Sequence, residues 1–176
     1  MNDPFEMLGV ERRFDLDLAV LEKTHRELSR ALHPDRYSQA GASERRAALE
    51  KAASVNEAWR AVRDPIRRAE ALFRLHGIKV GEDSEPAATA SFLMEMLEER
   101  EALADARIAK DLAKVRAIGA VMSGRAREIE GRLAAGFAAT APQGPAAFAS
   151  LLPLLCELRF YRRFLDEISA IEEDHD

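Results

Sequence analysis

Pro34 separates two strongly amphipathic stretches, and this one residue does most to limit the folds open to the chain. Proline has no N–H to donate and drives the residue before it out of the helical region. A helix approaching from the N-terminal side must therefore stop near Leu32, and a second helix leaves after a short polar segment. His33 and Asp35 are left at the tip of a helical hairpin. A bare His-Pro-Asp triplet is a weak signal. The same triplet at a helix–helix tip, with a basic face leading up to it, is much stronger.

The approaching helix begins at Asp17, with Leu16 and Leu21 spaced as a hydrophobic staple. Leu18, Leu21, His25, Leu28 and Leu32 recur at steps of three and four, so they share one face. Lys23, Arg26 and Arg30 form a second stripe by the same spacing, and Arg36 extends it past the tip. Such a stripe is ordinarily just a solvated face. Its alignment with the His33 tip favours a docking surface.

The rest of the N-terminal part follows from local signals. Asp3-Pro4-Phe5-Glu6 reads as a capped helix start in which Glu6 reaches back to the cap, and Gly9 ends that short helix. Phe5 and Leu8 are its buried anchors. The third helix runs from about Ser43 to Arg63, with Ala52, Val55, Trp59 and Val62 along its seam. Trp59 falls on that seam and reads as core; Asn56 is either an interior polar group or exposed. Asp64-Pro65 opens a fourth helix carrying Ile66, Ala69, Leu72 and Phe73, which stops before Gly77.

Lys79 to Ala88, with Gly81, Ser84 and Pro86, reads as a linker. Beyond it a helix over roughly Ala88 to Lys110 carries two competing stripes. Phe92, Met96, Leu103 and Ala106 fit a core seam interrupted by Glu99. Leu93, Met94, Leu97, Glu98, Glu101 and Asp105 form another, apolar at one end and acidic along its length. Taken alone, Leu93, Met94 and Leu97 read as core. Yet the apolar residues here span more than half the helix circumference, so in a three-helix bundle one side must face outward or meet the other domain; an exposed acid-edged apolar patch suits docking. The next helix covers about Asp111 to Phe137, with Leu112, Val115, Met122, Ile129 and Leu133 as core and Gly119, Gly124 and Gly131 inside it. Thr140 to Pro145 reads as a turn. A last helix runs to about Glu173, with Phe148, Leu151, Leu155, Leu158 and Leu165 inward and Phe160 and Phe164 on one stripe. Pro153 must kink or restart it.

Composition agrees with helices throughout. The 176 residues are 32% charged, only 6% aromatic and rich in Ala, Leu, Glu and Arg, which favours an all-helical protein over a sheet protein. The net charge of −5 argues against non-specific nucleic-acid binding. The charge is uneven: residues 1–76 carry 14 basic and 13 acidic groups, residues 77–176 carry 12 and 18. Two surfaces with different partners follow from that asymmetry. The single cysteine, Cys156, excludes an internal disulfide and a Cys-rich metal site, and His25, His33, His76 and His175 lack paired ligand spacing. No cofactor and no metal are expected. Acidic Asp3 and Glu6 stand where a signal peptide would be basic, and no apolar run reaches membrane-spanning length, so a cytoplasmic protein is expected.

The short helix, the hairpin with its His-Pro-Asp tip and the closing helix together resemble a J-domain. The resemblance extends to the whole HscB family of J-domain co-chaperones of iron–sulfur cluster assembly. It is carried by Leu32-His33-Pro34-Asp35-Arg36, Val55-Asn56 with Ala58-Trp59, Asp64-Pro65 with Arg68-Ala69-Glu70, Leu75-His76-Gly77, and Phe92-Leu93-Met94-Glu95 with Leu97-Glu98. It implies an all-α, L-shaped chain: a J-domain over 1–76, a linker over 77–87 and a three-helix bundle over 88–176. It also implies two partners. An HscA-like chaperone ATPase of the DnaK type would meet His33, Pro34, Asp35, Lys23, Arg26, Arg30 and Arg36. An IscU-type iron–sulfur scaffold would meet Leu93, Met94, Leu97, Glu98, Glu101, Asp105 and Phe160. Asp105 stands where a longer Glu is usual in the family. A monomer is the simplest state.

Two rival readings remain open. One is a J-domain protein with another client, which would share the tip but not the second patch. The other is a small hydrolase using His33 and Asp35 as base and orienter. The second lacks a nucleophile in the right context, since Cys156 lies in an apolar helical stretch. No phosphate-binding glycine loop is present, so ATP hydrolysis by the chain itself is not expected.

Overall fold

The computed structural model describes residues 3–81, 86, 88–140 and 144–174. The central linker residues 82–85 and 87 (Ser84 among them), the middle of the expected turn at 141–143, and His175 lie outside the described residues. Every regular element among the described residues is helical. The chain divides into two compact units, Met1–Val80 and Gly81–Asp176.

The first unit starts with α1, Pro4–Leu8, whose cap behaves as its sequence requires. The Asp3 carboxylate accepts from the Phe5 and Glu6 amides, and Gly9 closes the helix at a φ of 66°. Glu6 does not return to the cap; its carboxylate pairs with Arg12 at 3.4 Å. Phe5 and Leu8 are buried. Helix α2, Leu18–Ala31, is capped by Asp17 through the Ala19 and Val20 amides. Leu21 and Leu32 are buried, but Leu18 is 49% exposed and leaves the expected core face. It sits in the first turn of the helix, where the periodicity continues although the side chain stays half in solvent.

Helix α3, Ala42–Arg63, and helix α4, Pro65–Leu75, complete this unit. Val55 and Val62 are buried as expected, joined by Ala48 and Ala58, while Ala52 and Trp59 are half-buried. Asp64 caps α4 through the Arg67 amide at 3.0 Å. Ala69, Leu72 and Phe73 fill the core. Arg68 is buried with them, 6% exposed. Its guanidinium donates to the carbonyls of Phe14 at 2.6 Å, Val62 at 2.8 Å and Arg63 at 3.2 Å. It also lies 5.1 Å from the Phe14 ring centroid. A buried cation persists only with its donors satisfied, and here it ties the loop before α2 to the α3–α4 corner.

The second unit is built on α5, Ala90–Ile108; α6, Leu112–Thr140; and α8, Leu152–Glu173, with α7, Pro145–Ala149, between the last two. Thr89 caps α5 through the Phe92 amide. The expected single last helix is therefore two: Pro153 stands in the first turn of α8, where its missing N–H costs nothing. Thr140 belongs to α6 and Pro145 opens α7, so the expected turn is narrower than its sequence suggested. Phe92, Met96, Leu103, Val115, Met122, Ile129, Leu133, Leu155, Leu158 and Phe164 are buried; Leu112 and Leu165 are only half-buried. Gly119 explains itself by close approach, since a Cβ there would meet Ile168 at 3.3 Å. Gly124 and Gly131 face open space.

Candidate functional site

The hairpin tip is assembled by local rules. Leu32 buries its side chain and ends α2. His33, restricted by the proline after it, is extended at φ −61° and ψ 135°. Pro34–Tyr37 then forms one 3-10 turn, closed by the Arg36 amide on the His33 carbonyl at 3.0 Å. Ser38 secures its end, donating from Oγ to the Asp35 carbonyl at 2.9 Å. The His33 and Asp35 side chains are 59% and 90% exposed.

Nδ1 of His33 lies 3.4 Å from the Asp35 amide nitrogen and 3.4 Å from an Asp35 carboxylate oxygen. These two contacts need opposite protonation of the same nitrogen, so only one of them can be a hydrogen bond at a time. In both, His33 is turned toward Asp35. Lys23, Arg26, Arg30 and Arg36 are all exposed, and among the described residues none forms an ion pair. A solvated, unneutralised stripe thus leads to a solvated tip.

On another face of α2, His25 clamps that helix to α3. Its ring lies over Trp59 with centroids 4.6 Å apart and planes 9° apart, and Nε2 is 3.0 Å from the Asn56 side-chain oxygen. Asn56 is thus neither buried nor idle: it is exposed as a residue yet engaged through its amide.

A groove of about 660 Å³ opens between α1, α3 and α4, lined by Pro4, Met7, Ala58, Ala61, Ala71 and Leu75. His33 and Asp35 are not among its walls. Nor is Cys156, which is buried in α8; its thiol is pushed up from the ordinary value chiefly by burial. The tip presents its polar side chains to solvent.

The second surface lies on α5. Phe92 and Met96 are buried, whereas Leu93, Met94 and Leu97 are 46%, 59% and 51% exposed. The core reading of those three residues is thereby set aside. Glu98, Glu101 and Asp105 are exposed beside them. One flank of α5 is held by α6: Arg125 reaches Glu95 at 3.0 Å and Glu99 at 3.2 Å. This pairing accounts for an acid on the core seam. At about 100° per residue, Leu93 and Leu97 fall on the flank away from Glu95 and Glu99. Phe160 of α8 is half-buried and packs on Phe92 nearly at right angles, centroids 5.5 Å apart. Tyr161 packs on the same ring at 5.7 Å.

Residues that sequence reasoning missed are those joined across long separations. Arg68 was visible only as a motif position, and its acceptor on Phe14 is 54 residues away. Arg163 gave no signal; it lies over the Phe160 ring, 4.7 Å from its centroid.

Residues 88–169 match the family model described as the HSCB C-terminal oligomerisation domain. The chain is 41% identical over 105 residues to the co-chaperone protein HscB homolog of Cupriavidus taiwanensis, an alignment covering 60% of each protein. It is 37% identical over 123 residues to the homolog of Ralstonia nicotianae, covering 70% of each. Among solved structures it is similar to the chaperone HscB from Vibrio cholerae, with a TM-score of 0.83 at 27% identity, covering 98% of this chain and 99% of that one. Human co-chaperone HscB shares the fold, with a TM-score of 0.85 at 24% identity over 98% of this chain and 83% of that one.

Proposed function

The chain belongs to the HscB co-chaperone family, and on that premise we propose that it is an adaptor with two grips. One grip, the His33-Pro34-Asp35 apex with Lys23, Arg26, Arg30 and Arg36, engages a DnaK-type chaperone ATPase of the HscA class and stimulates its ATP turnover. The other, Leu93, Met94, Leu97, Glu98, Glu101, Asp105 and Phe160, holds an IscU-type iron–sulfur scaffold and delivers it to that ATPase for cluster assembly or transfer.

The basic stripe steers the encounter with an acidic face, so the association weakens as salt screens it. Pro34 fixes the shape of the turn. His33 and Asp35 contribute polar contacts to the hydrolysis-competent arrangement of the ATPase and shift its population that way. The chain activates rather than catalyses. Carrying scaffold and ATPase contacts on one chain raises the effective concentration of one partner at the other.

The observation that carries this reading is the exposure of Leu93, Met94 and Leu97 on a helix that buries Phe92, Met96, Leu103 and Ala106. Three large apolar side chains left exposed and edged by acids have the make-up of a protein-docking patch. Calorimetric titration of an IscU-type scaffold into the full chain and into a Leu97→Ala/Phe160→Ala variant tests it. Loss of tenfold or more in affinity is expected for the variant, since truncating two central apolar contacts costs ~2 kcal/mol or more. Native affinity in the variant, or capture of unrelated unfolded clients in place of the scaffold, overturns it.

A further inference from the structure

Phe160 is held on two sides. Phe92 packs on it at 77° between ring planes, and Arg163, one helical turn along α8, sets its guanidinium carbon 4.7 Å from the ring centroid. Arg163 is exposed, and among the described residues no carboxylate lies within ion-pair distance of it. A guanidinium over an aromatic face is attracted by the ring quadrupole, and its N–H edge keeps donors for a carboxylate. The acids of the patch lie at its other side. Going round α5 from the flank that carries Leu93 and Leu97, Glu101, Asp105 and Glu98 follow, at about 180° to 240° from Phe92. On α5, then, the acids lie on the far side of Leu93 and Leu97 from Phe92, the residue against which Phe160 and its Arg163 are held.

We propose that Arg163 is a positioning and specificity-determining residue of this patch. It fixes the Phe160 ring for contact and takes a carboxylate of the docking partner, so that the partner can seat in only one orientation. The inference rests on the docking function proposed above for the α5 patch, and it adds a requirement: the partner's apolar contact must have an acidic group at the Arg163 edge and basic groups at the Glu98, Glu101 and Asp105 edge. A partner basic throughout would satisfy the acids but meet repulsion at Arg163.

The test uses the full chain with Arg163→Gln, Arg163→Lys and Leu97→Ala/Phe160→Ala, each titrated calorimetrically with an IscU-type scaffold at low and high salt. Ring proton resonances of Phe160 are followed in the absence of partner. Arg163→Gln is expected to shift those resonances and to lower the thermal unfolding midpoint only slightly, as loss of one exposed cation–π contact requires. It should weaken binding about two- to fivefold at low salt, the scale of one exposed ion pair across the interface. The deficit should shrink at high salt, and Arg163→Lys should recover part of it. Native affinity in Arg163→Gln, while Leu97→Ala/Phe160→Ala binds weakly, overturns the role of Arg163 alone. A deficit that is indifferent to salt and to the lysine removes the carboxylate. Native affinity in all three variants removes the docking patch itself.

Discussion

The imidazole of His25 lies flat on the indole of Trp59, centroids 4.6 Å apart, while its Nε2 meets Asn56 at 3.0 Å. The three residues join α2 to α3. A stacked pair contributes about 0.5–1.5 kcal/mol beyond its area, and a net hydrogen bond about 1 kcal/mol. His25→Ala should therefore lower stability by about 1–2 kcal/mol. Chemical denaturation followed by Trp59 fluorescence measures this directly, because Trp59 is the sole tryptophan. An unchanged midpoint would mean that the clamp contributes nothing.

Arg68 makes a sharper case. Its guanidinium serves carbonyls of Phe14, Val62 and Arg63 from a buried position. Lysine keeps the charge but cannot reproduce the planar fork. Arg68→Lys should cost about 2–4 kcal/mol, through carbonyls left without donors and a poorly solvated ammonium. Urea denaturation of the two proteins decides it; a loss below about 0.5 kcal/mol would show that lysine suffices.

Two glycines of α6 should respond with opposite signs. A Cβ on Gly136 would stand 2.5 Å from one methyl of Leu151 and 3.1 Å from the other, so the buried Leu151 side chain must shift. Gly136→Ala should destabilise by about 1–3 kcal/mol through overpacking. Gly131 meets nothing within 4 Å. Gly131→Ala should stabilise by about 0.5–1 kcal/mol by helix propensity. Thermal unfolding of both variants against the parent gives the comparison, and shifts of the same sign would contradict it.

The helix starts were legible because capping acts within four residues: Asp3, Asp17 and Asp64 each receive the amides their spacing required. The tip was legible for the same reason, since Pro34 constrains only its neighbours. What crosses the chain was not. The bond from His25 to Asn56 spans 31 residues and that from Arg68 to Phe14 spans 54. Leu18 shows the limit of periodicity, which names a face but not whether another helix lies against it. The α5 patch shows the same limit from the other side. Both stripes were readable, yet only the placement of α6 on the Glu95 and Glu99 flank decides which one is buried. The split of the last helix was half legible: Pro153 marked the place, and a kink and a restart looked alike.

Single-turnover ATP hydrolysis by an HscA-class chaperone, with and without this protein and an IscU-type scaffold, tests the central claim most directly. The native chain should accelerate hydrolysis, more so with scaffold present. His33→Gln should abolish the acceleration at unchanged stability and unchanged scaffold affinity, because the His33 side chain is exposed at the tip and carries no core packing. Acceleration by His33→Gln equal to that of the native chain would contradict the account.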